Sequence, residues 1–185
     1  MTCLKSDENS IKKCVSLLKQ NKVLILPTDT VYGFSGLVES TDSLIRKIKG
    51  RAESKPFIQL IASPEYLKNI TDDEIPLKLL NCWPGPLTLV VRSKFDFLKT
   101  IAVRCPGDIW LRKIIEEVGV PIYSTSVNRS SCPVISNIRE IEKEFSSEVA
   151  LIVDDGDKNN AVPSTIAKVD DGKIVVLRQG AVVIE

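Results

Sequence analysis

The stretch that decides the fold is VLILPTDTVYG, residues 23–33, where an apolar run gives way abruptly to oxygen-bearing side chains. Residues 23–26 are an unbroken run of leucine and β-branched residues, which is typical of a buried strand. Thr28, Asp29 and Thr30 follow a proline, and Gly33 allows the backbone to turn sharply or to approach a ligand closely. Because open α/β folds bind ligands where buried strands end, we interpret this stretch as the first wall of a binding site.

Predicted helices and strands alternate on both sides of this stretch. Because strands cluster late in the chain, the pattern predicts one α/β domain with a twisted, mixed sheet. Helices are predicted at residues 10–20 with Ser10 as the cap, 41–49, 76–82, 108–118 and 137–145, with a short helix opening at Ser63 and Pro64. Strands are predicted at 57–62, 87–91, 101–104, 121–124 and 149–153, with a hairpin of 164–169 and 173–177 around Asp171 and Gly172.

The composition is that of an ordinary globular protein. The chain has 185 residues, of which 43% are hydrophobic and 26% charged, and 25 basic against 24 acidic residues give a net charge of +1. The net charge therefore points to no particular partner. No apolar run approaches the roughly 18 residues of a membrane span, and the N-terminus lacks an apolar signal segment, so we expect a cytoplasmic protein with no membrane contact.

Cysteine and histidine usage narrows the possible chemistry. The five cysteines are far apart and form no C-x-x-C pair, which argues against a disulfide framework and a zinc knuckle. The chain contains no histidine at all, so a histidine base, a Ser-His-Asp triad and a histidine-ligated metal are excluded. Catalysis would have to depend on hydroxyls, carboxylates, lysine and arginine.

The most basic run, residues 46–55, has five cations and one acid. Composition alone leaves two interpretations open: a solvated surface with cations at a helix C-terminus, or a phosphate site. Lys49 and Arg51 flank a glycine, which favours a convergent grip on phosphate.

Four predicted strands end in groups that bind anions or hydroxyls. Residues 27–30 and 124–128 supply short polar side chains, while Arg104 and Arg178 each follow an apolar strand. Each feature alone is explained by a polar turn or an edge charge, but together these ends could gather into one crevice.

Trp83 could stack on a base, although we favour a place in the core. The acidic run 154–157 lacks the glutamate of an EF-hand, and no P-loop or Rossmann motif occurs.

Seven ordered motifs extend over nearly the whole chain: PTDTVYG (27–33), KGR (49–51), WPGPLT (83–88), AVRCP (102–106), SVN (126–128), PST (163–165) and LRQG (177–180). Together these motifs resemble those of the YrdC/Sua5 family. The resemblance implies a twisted α/β sheet with flanking helices around a large basic cavity. It also implies an L-threonylcarbamoyladenylate synthase, which makes its product and pyrophosphate from L-threonine, bicarbonate and ATP for the t6A modification of tRNA. The length resembles the short form, so we expect one domain over residues 1–185 and no C-terminal Sua5-type domain.

The resemblance also implies site residues and partners. Lys49 and Arg51 are the implied catalytic residues, Mg²⁺ would accompany ATP, and tRNA and TsaD-, TsaB- and TsaE-like proteins would be partners. Leu60 stands where some relatives have a histidine that contacts threonine. Threonine would be bound by Thr30, Arg104, Ser124 and Ser164, and ATP by Arg51, Lys55, Thr100, Ser126, Asn128, Val134 and Arg178.

Two other functions are weighed against this one. A non-catalytic RNA-binding or ribosome-maturation module could use the same basic concavity, and it would bind structured RNA in a salt-sensitive way. A carbamoyl-adenylate domain of the hydrogenase-maturation type would carry fused C-x-x-C zinc modules, which this sequence lacks.

Overall fold

The computed structural model describes residues 1–52, 56–96, 98–170 and 172–184. In these ranges one ten-stranded sheet has the strand order β1-β8-β2-β3-β7-β4-β6-β5-β9-β10. The strands are β1 (Thr2–Leu4), β2 (Leu24–Leu26), β3 (Gly33–Leu37), β4 (Ile58–Leu60), β5 (Leu87–Arg92), β6 (Thr100–Arg104), β7 (Ile122–Ser126), β8 (Leu151–Asp154), β9 (Thr165–Asp170) and β10 (Lys173–Arg178). The helices are α1 (Ser10–Lys19), α2 (Asp42–Lys49), α3 (Leu77–Leu80), α4 (Ile109–Val118) and α5 (Ile138–Phe145), with a 3₁₀ helix at Pro64–Asn69.

The sheet is mixed, as the alternation of elements predicted. Strands β1 and β2 run parallel to β8, β4 to β6, and β5 to β9. The other neighbours are antiparallel, including β3 with both β2 and β7. The α/β fold with a mixed sheet and flanking helices is therefore confirmed.

Helices cover the two faces of the sheet unequally. Leu24, Leu60 and Ile122 point to the first face, where they pack against α1 and α4. On the second face, α2 and α5 cover one half of the sheet, and the 3₁₀ helix with α3 covers the other half. Since α1 and α4 cover only part of the first face, the rest of it is left for a site.

The start of α1 differs from the sequence prediction. Ser10 was predicted to cap this helix, but Asn9 holds the cap position and no side-chain hydrogen bond caps the helix. Ser10 is buried instead. Its hydroxyl donates to the Lys5 carbonyl (2.9 Å) and accepts from Trp110 Nε1 (3.0 Å), which ties α1 to α4. At the start of α4, Asp108 accepts from the Leu111 N–H, and Gly119 ends that helix in the left-handed conformation.

Two strands were not predicted from the sequence. Strand β1 is only three residues long, and β3 contains Gly33 and Gly36, residues that weaken a strand signal. Gly33 was expected to let the backbone turn sharply, but the structure shows no turn at this residue. It begins β3, and a side chain there would lie 2.5 Å from Ser124 Oγ, so its role is close packing against that hydroxyl. The turn predicted at Asp171 lies outside the described residues. No helix among the described residues is long and apolar enough to cross a membrane.

Candidate functional site

A cavity of about 380 Å³ lies on the first face of the sheet. Its floor includes Ile58, Val90 and Ala102, which share that face because they are paired in register. The polypeptide after β2 folds over this floor. The polar lining residues are Thr28, Thr30, Tyr32, Arg51, Arg104, Ser124, Thr125, Ser126, Ser164 and Arg178, and the remaining ones are Val31, Pro56, Phe57, Val134, Pro163, Ile166 and Leu177.

The sequence had suggested a site at one set of strand ends, but the cavity does not lie there. Strands β2 and β7 run in the same direction, whereas β6 and β10 run in the opposite one. Arg104 and Ser126, the last residues of β6 and β7, therefore lie at opposite edges of the sheet. Their groups meet because the cavity spans the face between those edges, with the loop after β2 crossing above it.

Arg104 is the most firmly held cation of the cavity, and its side chain is 5% exposed. Its Nη2 donates to Asp29 Oδ1 (2.5 Å), and its Nε donates to the Gly85 carbonyl (3.1 Å). The Gly107 N–H donates to the other carboxylate oxygen of Asp29 (2.9 Å). Burial lowers the pKa of Arg104, and Asp29 opposes that shift. Asp29, whose role the sequence left open, thus orients an arginine at the cavity wall.

Thr30 is fixed from two sides. Its hydroxyl accepts from Arg104 Nη1 (2.9 Å) and lies 2.9 Å from the Thr28 hydroxyl. Because Thr28 donates its own proton to the Val31 carbonyl, Thr30 donates to Thr28. One acceptor lone pair of the Thr30 oxygen remains, which suits an N–H or O–H group of a ligand.

Ser164 and Arg178 form the opposite wall. Arg178 Nη2 donates to the Ser164 carbonyl (2.7 Å) and lies 3.2 Å from its hydroxyl, while that hydroxyl also lies 2.8 Å from Thr88 Oγ1. Thr88 is fully buried between Leu87 and Leu89 in β5. The sequence analysis listed Thr88 in the WPGPLT motif but gave it no role at the site, although a threonine between apolar strand residues is a signal of a buried polar contact.

In the described part of the chain, the charged residues of the cavity lining are all arginines. Arg51, Arg104 and Arg178 line it, and no Asp or Glu among the described residues does. Burial, followed by the charge of Arg104, lowers the pKa of Arg178, so these two cations are close enough to interact unfavourably. Arg51 lies over the Phe57 ring, 5.3 Å from its centroid. Such a group of cations is stabilised by a bound anion.

Lys49 was predicted to be catalytic, and the structure places it behind the cavity wall. Its side chain is buried, and its ammonium donates to the Ser126 carbonyl, to the Asn128 carbonyl (2.9 Å) and to Asn128 Oδ1 (2.9 Å). These three acceptors use all three of its N–H donors. Asn128 Oδ1 also accepts from Ser126 Oγ (2.8 Å). Burial, followed by the charge of Arg51, lowers the pKa of Lys49 to about 8.

Most of the predicted ligand-binding residues are brought together. The cavity lining includes Thr30, Arg104, Ser124 and Ser164 from the threonine set and Arg51, Ser126, Val134 and Arg178 from the ATP set. Asn128 supports this lining through Ser126, and Lys55 lies outside the described residues. Thr100 instead lines another cavity, with Arg92 and Lys168. Leu60 packs in the core under α1 and α4 and does not line the site.

The apolar part of the cavity wall was not recognised from the sequence. Phe57, Ile58, Val90 and Leu177 lie in predicted strands, where apolar residues are expected to be core. Trp83 was correctly placed in the core: it is buried, and its Nε1 donates to the Leu87 carbonyl (2.6 Å). It therefore offers no face for base stacking.

The protein side chains do not form a metal site in the part of the chain that the structure describes. No three His, Cys, Asp or Glu side chains there are close enough to hold an ion. Asp29 has both carboxylate oxygens occupied by Arg104 and the Gly107 N–H. In the acidic run, Asp154 accepts from the Gly156 N–H and Asp155 pairs with Lys158.

The fold and this cavity define an α/β protein with a pocket on one sheet face that three arginines line. The family model Sua5/yciO/yrdC, described as telomere recombination, matches residues 16–180. The chain therefore belongs to the Sua5/YciO/YrdC family.

Relatives and solved structures agree with this assignment. The chain is 31% identical to a threonylcarbamoyl-AMP synthase of Bacillus subtilis, over 97% of this chain and 56% of that protein. It is 30% identical to a threonylcarbamoyl-AMP synthase of Pseudoalteromonas translucida, over 91% of this chain and 98% of that protein. The structure of Pyrococcus abyssi Sua5 complexed with L-threonine superposes with a TM-score of 0.84 at 31% identity, covering 94% of this chain and 55% of that one. The chain thus spans little more than half of the Bacillus and Pyrococcus proteins.

Proposed function

We propose that this chain is an L-threonylcarbamoyladenylate synthase, a nucleotidyltransferase that joins L-threonine, bicarbonate and ATP. The observation that carries the proposal is the shared cavity, in which three arginines and several hydroxyls meet with no lining carboxylate among the described residues. ATP, bicarbonate and the threonine carboxylate are all anions, so the three substrates have a common electrostatic requirement. The identity of about 30% to proteins named for this activity supports the same choice.

In the proposed arrangement, threonine binds at the Arg104 wall. Three of the five N–H groups of Arg104 are used by Gly85, Thr30 and Asp29, and the other two have no acceptor within the described ranges. Those two donors suit the threonine carboxylate. The free lone pair of Thr30 and the hydroxyls of Ser124 and Ser164 suit its amine and hydroxyl groups.

ATP would bind at the remaining two arginines. Arg51 and Arg178 would contact the phosphates, together with Lys55 and Ser126. The apolar side chains of the wall, such as Phe57 and Leu177, would pack against the nucleoside. Thr100 faces a different cavity, so this arrangement assigns it no contact with ATP.

The proposed reaction has two steps. The threonine amine adds to the carbon of bicarbonate and water leaves, which gives a carbamate. A carbamate oxygen then attacks the α-phosphorus of ATP, the bond to the bridging oxygen breaks, and pyrophosphate leaves. The arginines neutralise the charge that develops on the phosphates, and the walls align the two reactants. No side chain has to serve as a histidine-type base.

Lys49 and Asn128 have positioning roles in this proposal. Lys49 donates to the Ser126 and Asn128 carbonyls of the SVN motif, and the Asn128 side-chain oxygen accepts from Lys49 and Ser126. The pair therefore fixes Ser126 at the cavity. Since no protein metal site is formed by the described residues, Mg²⁺ would be bound chiefly by the ATP phosphates.

The product would supply the t6A modification of tRNA in the cytoplasm, with TsaD-, TsaB- and TsaE-like proteins as partners. The test is a pyrophosphate-release assay on the purified chain with each substrate omitted in turn. Release should require threonine, bicarbonate and ATP together. Release that continues without threonine would contradict the proposal, and salt-sensitive RNA binding without any ATP turnover would favour the RNA-binding alternative.

A further inference from the structure

A second cavity, of about 460 Å³, lies between the 3₁₀ helix, α4 and the end of β4. It shares no lining residue with the cavity described above. Apolar walls are supplied by Ile109, Ile115 and Val120, and polar groups by Ser63, Tyr66 and Arg112. We call it the Arg112 cavity.

Arg112 has an unmet requirement for an acceptor. Its Nε is shut off from solvent, and it is the one buried side-chain polar atom in the described part of the chain that has no hydrogen-bond partner. Glu116 lies one turn further along α4 and lines the same cavity, but it forms no ion pair with Arg112 within the described ranges. A buried donor without an acceptor costs about 1–3 kcal/mol.

The rim of the cavity is apolar and unusually open to solvent. Ile109 is 73% exposed and Val120 is 46% exposed. Large aliphatic side chains beside a half-buried arginine form a surface with one apolar part and one cationic part. Lys113 adds a second cation, so the lining has two positive charges against the single negative charge of Glu116.

We propose that the Arg112 cavity binds a small organic anion. Its apolar body would pack against Ile109, Ile115 and Val120, and its carboxylate or phosphate would accept from Arg112. The hydroxyl of Tyr66 can donate to the same anionic group, whereas the Ser63 hydroxyl already donates to the Glu65 carboxylate. The proposal of this site does not rest on the proposed synthase activity.

The Arg112 cavity is joined to the strand that carries Arg104. The Ile61 N–H, on the cavity wall, donates to the Arg104 carbonyl (3.0 Å), and Cys105 Sγ contacts the Ala62 carbonyl at 3.8 Å. An occupant of the Arg112 cavity would therefore contact the segment that supports the other site.

A nuclear magnetic resonance titration of the isotope-labelled protein tests the proposal. Phenyl phosphate and benzoate are the probes, since they combine an aromatic body with either kind of anionic group. Inorganic phosphate lacks the body, and benzyl alcohol lacks the charge. At least one of the two aromatic anions should shift the backbone resonances of Ile109 and Val120 at millimolar concentration, more strongly than either control compound, and the comparison shows which anionic group is preferred.

Arg112→Met should weaken this binding by roughly tenfold or more, as expected for loss of a charged hydrogen bond. Arg139→Met, the same change on the exposed surface of α5, should leave it unchanged. The proposal is overturned if neither aromatic anion shifts Ile109 and Val120, if Arg112→Met binds like the wild type, or if benzyl alcohol binds as well as the anions do.

Discussion

Asp29 and Arg104 form an ion pair at the wall of the first cavity, with Asp29 Oδ1 2.5 Å from Arg104 Nη2. Their side chains are 19% and 5% exposed, so the arginine has little access to water. The two residues are 75 positions apart in the sequence. This pair connects the loop after β2 to the end of β6, and it decides how the arginine points.

Replacing Asp29 should therefore affect both stability and substrate binding. Asp29→Ala leaves Arg104 buried without its partner, and we expect the free energy of unfolding to fall by about 3 kcal/mol. Urea denaturation measures this change. Asp29→Asn keeps the shape and an oxygen acceptor, so its loss should be clearly smaller. Equal stability of Asp29→Ala and the wild type would show that the pair does not hold the fold.

The same position should separate the kinetic constants of the proposed reaction. If Asp29 only orients Arg104, Asp29→Asn should raise KM for threonine by roughly tenfold or more while KM for ATP changes little. Initial rates at varied threonine and at varied ATP make this comparison. An equal rise in both constants would place Asp29 outside the threonine wall.

Arg178 should act on ATP. Arg178→Met removes a cation from the phosphate wall, and kcat/KM for ATP should fall about a hundredfold if its charge stabilises the transition state. Arg139→Met on α5 makes the same change at an exposed site and should retain wild-type rates. Far-ultraviolet circular dichroism checks that both variants are folded. An Arg178→Met variant with wild-type kcat/KM would remove this arginine from the proposed ATP site.

Lys49 predicts a pH dependence of stability. Its pKa is lowered to about 8 in the folded protein from 10.5, so between these values the unfolded chain binds more protons than the folded one. The free energy of unfolding therefore rises with pH across that window, and Lys49 contributes at most about 1.4 kcal/mol per pH unit to this rise. Below pH 8 both states are protonated, and the cost of burying the charge is constant.

The measurement is the difference in unfolding free energy between the wild type and Lys49→Met at several pH values. This difference cancels the other titrating groups, and it should shift in favour of the wild type above pH 8. A difference that stays flat from neutral to alkaline pH would mean that the ammonium is not buried as described.

Gly33 and Ser124 should be coupled. A methyl group at position 33 would lie 2.5 Å from Ser124 Oγ, so Gly33→Ala should destabilise the protein by about 1–3 kcal/mol. Adding Ser124→Ala removes the crowding oxygen and should restore part of that stability. Thermal unfolding of the two single variants and the double variant forms the cycle. Strictly additive effects would contradict the close packing.

Local patterns in the sequence were enough to predict much of the fold. Helical spacing of apolar residues located α1, α2, α4 and α5, and Gly119 marked the end of α4. Strand β3 was not predicted, because its two glycines weaken the sequence signal of a strand. Its place in the centre of the sheet depends on pairing with β2 and β7, and β7 lies far along the chain.

The site was predicted in its residue types more than in its geometry. Arg104, Arg178, Thr30 and Ser124 were expected to lie together, and they line one cavity. The sequence did not give the directions of the strands, so a crevice at the strand ends was expected, whereas the cavity spans a face of the sheet. The burial of Lys49 could not be foreseen either. It depends on carbonyls of the SVN motif that lie 77 and 79 positions away.

The most direct test of the central claim is detection of the product. The purified chain would be incubated with ATP, L-threonine and isotope-labelled bicarbonate, and the mixture analysed by mass spectrometry. We predict an adenylate that contains both the labelled carbon and threonine, formed together with pyrophosphate and greatly reduced in Arg178→Met. Failure of the folded wild-type protein to form any labelled adenylate, with ATP left intact, would contradict the assigned function.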